Sequence, residues 1–90
     1  MTPAERPSIR PGFRLQWEAM QNAYVLLYPE GMVKLNSSAA QILRRCDGLR
    51  SVDDIVGDLE TAFQRGGLQE EVVRFLDLAV NRGWISVPPP

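Results

Sequence analysis

Histidine is absent from the 90 residues, and Cys46 is the single cysteine. The commonest general base and metal ligand is therefore missing, and one thiol makes neither a zinc nor an iron-sulfur ligand set. Cys46 follows Ala39, Ile42 and Leu43 at helical spacing. A thiol in such a stripe acts as a small hydrophobe, and no base accompanies it. Asp53, Asp54 and Asp58 are the densest carboxylates, yet their spacing lacks the liganding pattern and the glycine of a calcium loop and suits the wet face of a helix. Gly66-Gly67 has no strand before it and no Lys followed by Ser or Thr after it, so it stops a helix rather than cradles a phosphate. Arg44, Arg45 and Arg50 gather near one helix end, where cations complement the helix dipole. The residues point away from an enzyme and imply neither a cofactor nor a metal.

Charge narrows the partners further. The net charge is −1, which argues against a partner held by long-range charge, such as nucleic acid or an anionic membrane surface. Asp53, Asp54, Asp58 and Glu60 outnumber Arg65 in one helical segment, and Glu70, Glu71 and Asp77 outnumber Arg74 and Arg82 in the next. Such helices would repel two rows of phosphates. No apolar run is long enough to span a bilayer, and no basic leader with an apolar stretch precedes a cleavage site, so a cytoplasmic protein is expected.

The elements that must position any site begin with an alternating segment. Phe13 to Glu18 reads as a half-buried strand with Phe13, Leu15 and Trp17 inward. The short link Ala19 to Asn22 makes an antiparallel neighbour of the run Ala23 to Tyr28, which is rich in β-branched and aromatic types and stops at Pro29. Pro29-Glu30-Gly31 reads as a three-residue turn with a bulge. Met32 to Asn36 then alternates, with Val33 and Leu35 inward and Met32, Lys34 and Asn36 outward. The middle strand is the one apolar on both faces, which leaves the first and third at open edges.

From Ser38 the period becomes helical. Ser38-Ala39-Ala40-Gln41 fits a capping box, and Asp47-Gly48 closes this first helix. Ser51 starts a second, with Val52, Ile55, Leu59, Ala62 and Phe63 as its buried stripe, broken at Gly66-Gly67. A third begins near Leu68, carries Val72, Phe75, Leu76, Ala79 and Val80 on one face, with Val72, Phe75, Leu76 and Ala79 pointing to the core, and ends at Gly83, before the short extended segment Trp84 to Val87. The expected fold is α+β: a three-stranded antiparallel sheet followed by a three-helix cluster, on a winged helix-turn-helix-like plan. One domain is expected over 13–87, with a flexible N-terminal tail over 1–12 and a proline tail over 88–90.

Leu27-Tyr28-Pro29-Glu30-Gly31, Val33-Lys34-Leu35-Asn36, Ser38-Ala39, Ile42-Leu43, Asp47-Gly48 and Val72, Phe75-Leu76 and Gly83, in this order and spacing, resemble the PqqD family of pyrroloquinoline quinone (PQQ) biosynthesis. Ser38 stands where that family more often has Thr, a change that keeps the cap. The resemblance implies a non-catalytic peptide chaperone. Such a protein binds the precursor peptide PqqA and presents it to the radical S-adenosylmethionine enzyme PqqE, which joins a Glu and a Tyr side chain of the peptide. It also implies a site: the peptide adds as an extra strand beside Met32, Val33, Lys34 and Leu35 and lies against the third helix. On that helix the Val73, Asp77, Val80 flank offers two apolar contacts beside a charge. An open edge accepts another extended chain through backbone hydrogen bonds, although Lys34 could equally serve to blunt it. Proline at Val33 is expected to remove a donor to the peptide and to weaken binding more than it weakens the fold. The alternatives are a winged-helix DNA-binding regulator and a protein whose open edges pair with their own copies. The expected state is a monomer or weak homodimer.

Overall fold

The structure, a computed structural model, describes residues 1–88. Its elements run β1 (Ser8–Ile9), β2 (Arg14–Glu18), β3 (Ala23–Tyr28), β4 (Gly31–Lys34), α1 (Ser37–Leu43), α2 (Val52–Phe63), α3 (Gln69–Asn81) and β5 (Ile85–Ser86). The fold is α+β, with β2, β3 and β4 forming a three-stranded antiparallel sheet ahead of three helices. Side-chain alternation sets the two faces of this sheet. Leu15, Trp17, Tyr24, Leu26, Tyr28 and Val33 share the inner face by their pairing, and Leu26 is fully buried in the core. Val25 is also fully buried but on the outer face, paired between Gln16 and Lys34. The continuous apolar run of β3 is thus explained by its central place. Trp17 lies on the inward face yet stays 50% exposed, because it is at an edge, where its ring meets Tyr24 edge-on at 5.1 Å.

The helices close over the inner face. Ile42 and Leu43 of α1, Val52, Ile55, Val56 and Leu59 of α2, and Val72, Leu76 and Ala79 of α3 join Leu26, Leu35, Trp84 and Ile85 in one core. Several details differ from the sequence expectation, and α1 ends at Leu43, ahead of the expected close at Asp47-Gly48. The cap of α1 is Asn36, whose carboxamide accepts from the Ala39 amide at 2.8 Å, so the third strand stops at Lys34 and Leu35 turns into the core. In α2 the buried stripe is Val52, Ile55, Val56 and Leu59, while Ala62 and Phe63 of the expected stripe are exposed, Phe63 by 50%. The turn before β4 is two residues, since Tyr28 pairs directly with Gly31.

Residues 1–12, expected as a flexible tail, are instead laid across the helices as a strap. Pro7 is fully buried, and the Gly48 amide donates to its carbonyl at 3.0 Å. Gly48 has a φ of +78°, and a Cβ there would lie 3.4 Å from that of Ser8, so the close approach requires glycine. The Val52 and Asp53 amides donate to the carbonyls of Glu5 and Pro3 at 2.8 and 3.0 Å. The Asp54 amide donates to the Ser51 hydroxyl, and the Asp54 carboxylate in turn accepts from the Ser51 amide, completing a capping box. The strap and the cap together satisfy the amides that a helix start leaves without partners. β1 then pairs antiparallel with β5, with Ser8 opposite Ser86 and Ile9 opposite Ile85. Prolines with polar neighbours resemble a loose end in sequence, and only the tertiary partners at Gly48 and α2 reveal the strap. Of the proline tail, Pro88 is exposed, while 89–90 lie outside the described residues.

Candidate peptide-binding site

Hydrogen-bond direction within the sheet decides which backbone groups are available. The Leu35 amide donates to the Tyr24 carbonyl at 3.0 Å, in register with the pairs Leu26–Val33 and Tyr28–Gly31. In an antiparallel ladder, bonded and non-bonded pairs alternate. Gly31, Val33 and Leu35 therefore bond inward to β3, whereas the amides and carbonyls of Met32 and Lys34 point away from the sheet. No strand covers them among the described residues: β3 is the only partner of β4, and β1 pairs with β5. Proline at Val33 would consequently break the sheet itself, and the donors open to a guest are those of Met32 and Lys34.

The side chains follow the same alternation. Met32, 48% exposed, and Lys34 stand on the outer face, while Val33 is half-buried against the core. Leu35 is 6% exposed and belongs to the core, so it supports the edge rather than meeting a guest.

The third helix divides the remaining predicted residues from a cavity. Val73, Asp77 and Val80 share one flank of α3; Val73 packs partly on the core, Val80 is exposed, and the Asp77 carboxylate lies 3.9 Å from the amino group of Met1. The side chain of Met1 is buried. That flank is thus where the strap arrives, and the structure does not join it to β4. At 100° per residue Glu71 lies on the opposite flank from Val73. There a cavity of about 250 Å³ opens between Ser37, Ile42, Leu59, Phe63, Leu68 and Glu71. Ser37 follows Lys34 by three residues, so the cavity lies at the corner where β4 enters α1. This concavity was not legible in the sequence. Its only sign was Phe63, an aromatic at the end of a helical stripe.

Burial, with a smaller contribution from the Asp47 charge, pushes the Cys46 thiol up to about 12. Its S–H points to the Ile42 carbonyl at 3.4 Å. The thiolate is the reactive form, so Cys46 is expected to resist iodoacetamide in the folded chain at pH 8 and to be alkylated fully in denaturant, as mass spectrometry would show; rapid native labelling would contradict this placement. Among the described residues no group of three His, Cys, Asp or Glu is placed to hold a metal ion, and no helix is long and apolar enough to cross a membrane. The three arginines near α1 are dispersed rather than pooled. Arg44 stacks over Tyr24 at 5.5 Å, Arg45 bonds Asp58 at 2.6 Å, and Arg50 pairs with Asp47 at 3.2 Å.

Known proteins share this arrangement. The family model of coenzyme PQQ synthesis protein D (PqqD) matches residues 23–85, from the start of β3 to β5. The chain belongs to the PqqD family. A protein of Stutzerimonas stutzeri named "PqqA binding protein" is 55% identical over 82 residues, which is 90% of this chain and 89% of that one. A Klebsiella pneumoniae protein of the same name is 48% identical, over 92% of this chain and 91% of its own. Among solved structures, the PqqD portion of Methylobacterium extorquens PqqCD superposes with a TM-score of 0.75 at 23% identity, over 89% of this chain and 87% of that one. That portion is described as a stand-alone recognition element for ribosomally synthesised, post-translationally modified peptides. The PqqD match begins after the strap and β2, so the segment that ties the amino-terminal end to α2 lies outside it.

Proposed function

We propose that this chain is a non-catalytic chaperone of PQQ biosynthesis that binds the precursor peptide PqqA by strand addition and presents it to the radical S-adenosylmethionine enzyme PqqE. The carrying observation is the uncovered edge of β4, with the donors and acceptors of Met32 and Lys34 directed outward. The name shared by the relatives supplies the guest. Backbone pairing gives affinity without regard to sequence, and alternate side chains of the guest supply selectivity. Residues of the guest facing the inner side of the sheet meet Val33, and those beyond Lys34 approach the cavity floored by Ile42, Leu59 and Leu68. In this reading the groove wall on α3 is the Leu68 and Glu71 side. The Val73, Asp77, Val80 flank stays with the strap. A cytoplasmic location fits a partner made on the ribosome.

Amide-shift mapping during titration with PqqA tests the site. Shifts are expected at Met32, Lys34, Ser37, Leu68 and Glu71. Shifts confined to β2, or to the first turn of α2, would remove the site proposed here.

A further inference from the structure

The two faces of the β4 edge present unlike chemistry to an incoming strand. On the outer face Lys34 is exposed, and across the sheet it is in register with Val25 and then Gln16. Val25 is apolar and fully buried, and the Gln16 carboxamide donates to Glu18 at 2.7 Å. Among the described residues no carboxylate pairs with the Lys34 ammonium. On the inner face, one step further toward α1, a guest meets the cavity instead. Ser37, which lines it, follows Lys34 by three residues, a span of at most about 10 Å. The floor of Ile42, Leu59 and Leu68 is apolar, Phe63 beside it is 50% exposed, and Arg65 and Glu71 add opposite charges to the lining. The volume of about 250 Å³ lies below the roughly 300–1,000 Å³ of small-molecule sites and suits one large side chain.

We propose that the guest is selected by two adjacent residues: an acidic one set opposite Lys34 on the outer face, and a large apolar one, its neighbour on the Ser37 side, lodged in the cavity. This rests on the reading of β4 as the docking edge. Successive side chains of a strand point to opposite faces, so only immediate neighbours reach both features. An acid and an apolar residue separated by one position would share a face, and one of the two features would go unused. The pair also fixes alignment. A slip of one residue carries the acid over the apolar floor, where the opposite charges of Arg65 and Glu71 offer no net attraction and the carboxylate loses water, and it turns the apolar side chain out beside Lys34. A slip of two sets the acid opposite the apolar Met32 and forfeits the cross-strand charge pair. Backbone pairing along β4 accepts any sequence, and these two side-chain contacts supply the discrimination that it lacks.

Exchange of charge between the partners tests the rule. PqqA peptides in which each acidic residue in turn is replaced by lysine are titrated calorimetrically against the wild type and Lys34→Glu. At one position the replacement is expected to weaken wild-type binding about five-fold, and that same peptide is expected to bind Lys34→Glu about as tightly as the unaltered pair. Alanine in place of the large apolar residue beside that position is expected to cost about ten-fold against the wild type and distinctly less against Phe63→Ala, whose cavity has lost the ring. Lys34 and Phe63 are both exposed, and circular dichroism of each variant confirms that the fold is retained. Where PqqA shifts the amides of Met32 and Lys34, the absence of any position that exchanges charge with Lys34, or a responsive acid with polar residues on both sides, overturns the rule and leaves the docking edge standing. Binding of PqqA without shifts at Met32 and Lys34 removes the edge, and the rule with it.

Discussion

Proline at Lys34 is expected to weaken PqqA binding about five- to ten-fold while leaving unfolding free energy within about 1 kcal/mol of the wild type. The amide lost is one of two that face outward from β4, and a backbone hydrogen bond contributes about 1 kcal/mol net. Pro is tolerated on an edge when its missing N–H would have faced away from the sheet. Lys34→Ala removes the same charge and keeps the amide, so it separates the two losses. At Val33 the expectation reverses. Its amide bonds Leu26, and its side chain packs on the core, so proline there is expected to cost about 3 kcal/mol of stability, through a broken ladder and lost packing. Calorimetric titration and urea unfolding of the three variants supply both numbers. Equal binding by Lys34→Pro and Lys34→Ala would exclude pairing along this edge.

Deleting residues 1–10 is expected to remove about 3–5 kcal/mol, a large share of what a domain of this size holds. The deletion strips the buried Pro7, the partners of the Gly48, Val52 and Asp53 amides, and the strand opposite β5. Each orphaned amide near the core costs about 1–3 kcal/mol where water cannot replace its partner. The melting temperature should fall by roughly 15 °C or more, at about 4–8 °C per kcal/mol. A milder variant, Gly48→Ala, keeps the strap but sets a Cβ against Ser8 at a left-handed φ, and it should lower the midpoint by a smaller amount. If the truncated chain melted with the wild type, the strap would be an ornament of the surface rather than a support.

Some of this is legible in the sequence alone. The alternation of Phe13 to Glu18, the two-faced apolar run of Ala23 to Tyr28 and the Ser51 cap each carry a local physical signature, and the sheet and α2 lie where those signatures put them. Asn36 was harder. Asn36, Ser37 and Ser38 are all competent caps, and the choice depends on where β4 releases the chain into the core at Leu35. The strap left no local trace, because Pro7 is buried by residues some forty and more positions away. At the site, the open edge followed from strand order alone. Which of its amides face outward did not, since that depends on the register with β3, and one residue of slip exchanges Val33 for its neighbours. The cavity beside Ser37 and Glu71 needs three helices in place before it exists.

The pairing of β1 with β5 also sets an order of assembly. The meander from Arg14 to Lys34 joins neighbours in sequence, whereas the clasp joins segments separated by nearly the whole chain, and contacts of that span form late because their loop closure is costly. During synthesis β5 leaves the ribosome after all the other described elements. A nascent chain can therefore offer a finished meander while its amino-terminal end still waits for the partner that will hold it.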